Sequence, residues 1–245
     1  LGRKAQGEGR WKEALGFFER ATSLDPGFST AHSAMASIHL SAGDRAEALR
    51  EIDVALSHRD RLPPRELLSL EALRATALRS DELFARWSEL AEMYPDHFGA
   101  HYNLALLAWL QNNEFEAALR HVQPAVAPQN PLRAAAIYLR GTLELGLDRI
   151  SDAESSLREA DTLGGAQLNI VAIELCFAKH DLECARTLLE QRRESGVARN
   201  DLARNRPPIL LALVSGDLAE ARRALDRAEE AASKVDAVAS LTYKT

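Results

Sequence analysis

The sequence predicts an all-α solenoid of stacked antiparallel helix pairs, and three observations carry that prediction. Apolar residues recur at spacings of 3, 4 and 7, and no segment sustains the alternation of a strand. One position returns as Ala14, Ala48, Leu83, Ala118, Ala153, Ala185 and Ala221, at intervals of 34, 35, 35, 35, 32 and 36 residues. Five residues before each stands a turn position: Gly9, Gly43, Leu78, Asn113, Asp148, His180 and Gly216. Such self-similarity marks a repeat architecture, in which each unit covers the apolar face its neighbour leaves bare.

Each element has a local reason. In the second unit, Thr30 to Ala42 reads as one helix, Gly43-Asp44 as a break and Arg45 to Ser57 as the next helix. Gly supplies the left-handed conformation that ends a helix, and Asp44 caps the following N-terminus. The small residue opening each second helix admits the first helix closely. Four residues later a large apolar group fills the gap between units: Phe18, Ile52, Trp87, Val122, Leu157, Leu189 and Leu225. The units so defined span residues 1–28, 29–62, 63–97, 98–131, 132–165, 166–200 and 201–245.

Composition bounds the function. The 245 residues are 46% hydrophobic and 27% charged, which excludes disorder along the whole chain. The net charge of −6 makes a nucleic acid a poor expected partner. Apolar runs such as Ile209–Val214 are far short of a membrane span. The chain opens on Leu1 with no secretory signal pattern, and is expected to be a fragment whose targeting information lies elsewhere.

Motifs that resemble chemical sites reduce to structural readings. His58-Arg59-Asp60 matches the start of a kinase catalytic loop, yet no glycine-rich phosphate cover or Asp-Phe-Gly accompanies it. His97 and His101 stand four apart, as zinc ligands can. His97 follows Pro95 too closely to be inside the helix, so an exposed His97 and a packed His101 are expected. Cys176 and Cys184 flank the turn at His180-Asp181. They could bridge in an oxidising compartment, but two reduced, partly buried thiols are the expectation. Gly7-Glu8-Gly9 and Gly164-Gly165 are turn glycines, since neither follows a strand or carries the Lys-Ser/Thr of a phosphate loop. Arg192, Arg193, Arg199, Arg204 and Arg206 cluster about a long connection before Pro207-Pro208, and interspersed acidic residues make it a solvated loop. No nucleophile, base and orienting group assemble at helix-compatible spacing, so no enzyme, cofactor or metal is expected.

Leu1-Gly2, Gly9, Trp11, Ala14, Phe18, Ala21 and Asp25-Pro26 resemble the tetratricopeptide repeat, and Tyr102-Asn103-Leu104-Ala105, Phe115, Ala118 and Leu119 repeat the pattern. The resemblance covers nearly the whole chain, with a truncated first helix and degenerate sixth and seventh units. A further resemblance, from Leu62-Pro63-Pro64-Arg65-Glu66 to Tyr102-Asn103-Leu104-Ala105, is to repeat regions of bacterial signalling proteins, kinases and transcription regulators among them. It implies an alternative role as their sensory or regulatory segment.

The family resemblance implies a right-handed superhelix whose first helices line a concave groove for a partner peptide or helix. Carried onto this chain, the groove comprises Ser33, Ser37 and Ser41, then Tyr102, Asn103, Leu106 and Trp109, then Tyr138, Thr142 and Leu145, then Glu174 and Phe177. Trp109 and Tyr138 could equally pack between repeats. A clamp for an acidic chaperone tail needs Lys and Arg among Asn on this face, and only Asn103 matches. The expected partner is a protein or peptide, and self-association is a further possibility.

Overall fold

The computed structural model describes residues 1–7, 10–164, 169–194 and 202–233. Within them the chain folds as helix pairs: α1 (Gly2–Gly7) with α2 (Trp11–Leu24), α3 (Ser29–Ala42) with α4 (Arg45–Ser57), and α5 (Pro64–Leu78) with α6 (Leu83–Met93). There follow α7 (Phe98–Leu110) with α8 (Phe115–Val122), α9 (Arg133–Gly146) with α10 (Ile150–Thr162), α11 (Asn169–Ala178) with α12 (Leu182–Glu194), and α13 (Leu202–Val214) with α14 (Leu218–Ser233). Short 3₁₀ turns occupy Arg59–Arg61 and Gln123–Val126. Among the described residues there is no strand, and no helix is long and apolar enough to cross a membrane. The fold is an all-α solenoid.

The turns close as their residues require. Gly43 adopts φ 84° as the C-cap of α3, and the Asp44 carboxylate accepts from the Glu47 N–H at 3.1 Å. Asn113, Asp148 and His180 hold the same left-handed conformation at φ 57–59°. In the third unit the left-handed residue is Arg79 rather than Leu78, at φ 53°. Ser80 Oγ then accepts from the Glu82 N–H, and α6 starts only at Leu83. That helix therefore begins at the recurring position, whereas α4, α8 and α10 begin three residues before theirs.

Ala14, Ala48, Ala118, Ala153 and Ala185 are completely buried at the contact inside each pair, and Leu83 and Ala221 are buried at the same position. Phe18, Ile52, Trp87, Val122 and Leu157 are buried between units. Trp87 also donates its indole N–H to Thr76 Oγ1 at 3.0 Å, satisfying its one donor within the core. Five apolar clusters follow one another along the array.

Some features depart from expectation. Cys176 and Cys184 form a disulfide, because the His180 turn brings the facing sides of α11 and α12 together with Cα atoms 5.7 Å apart. Pro207 and Pro208 lie inside α13 rather than in a connection. Of the arginine cluster only the Arg206 side chain falls within the description; those of Arg192, Arg193, Arg199 and Arg204 lie outside it. Glu8, Gly9 and Gly165 are likewise outside.

Most helix contacts join neighbours in sequence, but α1 also touches α9. A Cβ built on Gly7 would collide with the Pro131 carbonyl oxygen, so only glycine permits this approach. The Pro131 segment is held in turn by buried Asn130. Its amide donates to the Ala125 carbonyl at 2.6 Å and its side-chain oxygen accepts from the Leu132 N–H at 2.9 Å.

Replacing Ala118 or Ala153 with Leu is expected to destabilise the chain by roughly 1–3 kcal/mol through overpacking. Denaturant unfolding reads this directly, and an unchanged midpoint would contradict the close-approach role of these alanines.

Candidate functional site

The concave face holds a half-open cavity of about 1270 Å³ walled by α1, α3, α5, α7 and α9. The contact of α1 with the segment ahead of α9 closes its circumference. One face repeats around the wall at spacings of three and four: Ser33, Ser37 and Leu40 on α3; Arg65, Ser69, Leu73 and Thr76 on α5; Phe98, Tyr102 and Leu106 on α7. Successive turns of a helix present such positions to one side. Trp11 and Leu132 add apolar surface at the closure, and Arg3 and Gln6 line it from α1.

The sequence-derived groove residues divide. Ser33, Ser37, Ser41, Tyr102, Asn103, Leu106 and Tyr138 line this cavity together, whereas Trp109, Thr142, Leu145, Glu174 and Phe177 do not. Trp109 packs against the cluster of Ala105, Leu119 and Leu143. Leu145 packs on the cluster of Ile137, Tyr138 and Leu157, and Phe177 on that of Ile173, Cys176 and Ala185. Thr142 Oγ1 donates to the Tyr138 carbonyl one turn back at 2.9 Å. Glu174 is half-buried; burial raises its pKa and the Arg206 charge opposes that rise.

Tyr138 reaches both environments. Its ring is buried among Leu157 and Ala160, and its hydroxyl donates to Asp161 Oδ1. Burial first, then that bond and the Asp161 charge, raise its pKa well above the ordinary phenol value. Tyr102 is half-buried at the cavity wall, and burial raises its pKa too. Asn103 donates to the Gly99 carbonyl at 2.8 Å, which ties one side of its amide to its own helix.

Sequence reasoning missed Arg3, Arg65, Ser69, Leu73, His97 and Phe98. Their signal was the four-residue spacing of Ser33 and Ser37, which recurs as Arg65, Ser69 and Leu73 one unit later. Arg3 and Arg65 line the cavity that holds Asn103. Arg65 bonds both oxygens of Asp96 at 2.9 Å and lies over the Tyr94 ring, 5.4 Å from its centre. The Arg65 bond holds the Asp96 carboxyl below the usual range.

His97, expected to be exposed, is half-buried because it caps α7: its Nδ1 accepts from the Ala100 N–H at 3.1 Å. His101 bonds the Pro95 carbonyl through Nε2 at 2.9 Å, so the two histidines serve the same corner separately. Among the described residues no group of three metal-ligating side chains occurs. Burial, then the Arg65 charge, lowers the His97 pKa from 6.5 to about 4, with Arg3 adding a smaller push.

The sign of the resulting pH dependence follows. Between pH 6.5 and about 4 the unfolded chain protonates this histidine while the native state keeps it neutral, so stability falls as pH drops through that window. His97→Gln is expected to remove this component from unfolding curves measured across it. Parallel stability profiles for the variant and the wild type would contradict the assignment.

The tetratricopeptide repeat model matches residues 5–68. A comparison with the curated proteins found no match. Among solved structures, the chain is similar to PilW, described as a widely conserved type IV pilus biogenesis factor, at 15% identity, covering 82% of this chain and 92% of that one with a TM-score of 0.58. It is similar also to a tetratricopeptide repeat protein from Parabacteroides merdae, at 15% identity, covering 94% and 90% with a TM-score of 0.58. The tetratricopeptide repeat pattern is thus matched over the first two helix pairs, and the fold of these solved structures is shared along most of the chain.

Proposed function

We propose that this chain is a non-enzymatic protein-interaction module that holds a short segment of a partner protein in its concave cavity. The observation that carries the reading is the convergence of five inner helices on one half-open, largely apolar cavity. A helix with its side chains is ~10–12 Å across and rises 5.4 Å per turn, or roughly 400–600 Å³ per turn, so about 1270 Å³ accommodates two to three turns. Trp11, Phe98 and Tyr102 offer aromatic surface, the residue class that dominates binding energetics at interfaces. Ser33, Ser37, Ser69 and Asn103 offer polar groups beside it.

Panning a random peptide library on the immobilised protein tests this. The wild type is expected to enrich a recurrent sequence, and Tyr102→Ala with Leu106→Ala to weaken the enriched peptide by about tenfold or more at unchanged helicity. No enrichment, or equal affinity for the double variant, would contradict the proposal.

A further inference from the structure

A small side pocket of about 160 Å³ adjoins the cavity between α1, α3, α5 and the start of α7. Arg3, Ser33, Arg65, Ser69 and His97 form the wall the two spaces share. We propose that this side pocket receives one anionic side chain of the bound segment, a carboxylate or a phosphorylated residue, and thereby selects which sequences the cavity accepts. The proposal rests on the peptide-binding reading above.

Apart from Arg65, the donors of that shared wall pair with no carboxylate among the described residues. Arg3 donates to Gln6 Oε1 at 3.3 Å and pairs with no carboxylate among the described residues. Its side chain stays accessible from the cavity although protein surrounds it, and the lost hydration lowers its pKa, against which the Glu66 charge acts. The His97 ring accepts at Nδ1, which places its proton on Nε2, and that N–H has no protein acceptor among the described residues. The hydroxyls of Ser33 and Ser69 add two further donors.

Charge points the same way. Two guanidinium groups face one carboxylate in the pocket, in a chain whose net charge is −6. That carboxylate, Glu66, accepts from the Ser29 and Thr30 hydroxyls on the α3 side. Asp96 stands at the mouth and is held by Arg65. The net effect at His97 is positive, since Arg65 and Arg3 both disfavour its protonation and only Asp96 opposes them as a charge. A bound anion would gain charge-assisted bonds from Arg3 and the His97 N–H. Its field would also raise the His97 pKa from about 4 toward the ordinary value.

Two measurements on the intact chain test the proposal. The first compares retention of degenerate peptide pools carrying one fixed Glu, phosphoserine or Gln, on wild type, Arg3→Gln and Arg3→Lys. The wild type is expected to prefer an acidic pool over the Gln pool by roughly ten- to hundredfold. Arg3→Gln should lose that preference and Arg3→Lys keep part of it. Whether Glu or phosphoserine leads identifies the source of the anion. The second follows the His97 ring by NMR with inorganic phosphate against chloride at equal ionic strength, and the pKa is expected to rise in phosphate in wild type alone. Equal retention of acidic and Gln pools, with binding still dependent on Tyr102, would overturn the side pocket and leave the peptide-binding reading standing. Retention of no pool would overturn that reading, and an unmoved His97 pKa in phosphate would then overturn the pocket as well.

Discussion

The close approach of two helices at a buried alanine is the constraint on which the rest of this structure depends. At Ala14, Ala48, Ala118, Ala153 and Ala185 the side chain is a single methyl with no exposed surface. Any larger group there would push apart the hairpin whose packing sets each unit's shape. With the hairpins closed, the large residue one turn later meets the next unit, and apolar clusters follow one another instead of forming a single core. In such arrays the small rotation per unit accumulates into the curvature of the whole.

Here the curvature brings α1 to the segment ahead of α9. Gly7 and Pro131 meet without room for a side chain, and Asn130 fixes the backbone that carries Pro131. A concave groove thus becomes a deep, half-open cavity lined by five inner helices. The enclosure explains the electrostatics of its polar corner. Arg3, Arg65 and His97 come from elements far apart in sequence, yet burial acts on Arg3 and His97, and both guanidinium charges act on the histidine. Arg65 is neutralised by Asp96, whereas Arg3 has no such carboxylate among the described residues.

Much of the fold is legible in the sequence because repetition amplifies weak signals. Any single Gly or Ala is ambiguous, but six alanines among seven positions in register are not. Gly43 and Asp44 behave as their chemistry dictates, and so do the left-handed residues Asn113, Asp148 and His180. Leu78 failed by one residue, because the third unit closes through Arg79 and a Ser80 cap that the alignment on Leu83 conceals. The cavity was only partly legible. Tyr102, Asn103, Leu106 and Tyr138 line it, but Trp109 packs on the cluster shared by its own unit and the next and lines no part of the cavity. Thr142, Leu145, Glu174 and Phe177 fall outside because closure at α9 ends the cavity, and closure depends on Gly7 meeting Pro131 across more than a hundred residues. No local pattern encodes that distance. The same applies to Arg3 on α1 and to His97 at the cap of α7, which come together only in the fold.

Pulsed electron resonance between spin labels placed at Lys4 on α1 and Gln129 ahead of Pro131 tests the enclosure most directly. A single narrow distribution at short distance is the result this account predicts, because Gly7 then rests on Pro131 and the five inner helices surround one space. A broad distribution centred at long distance would mean an open groove, and the cavity with its side pocket would not exist in solution.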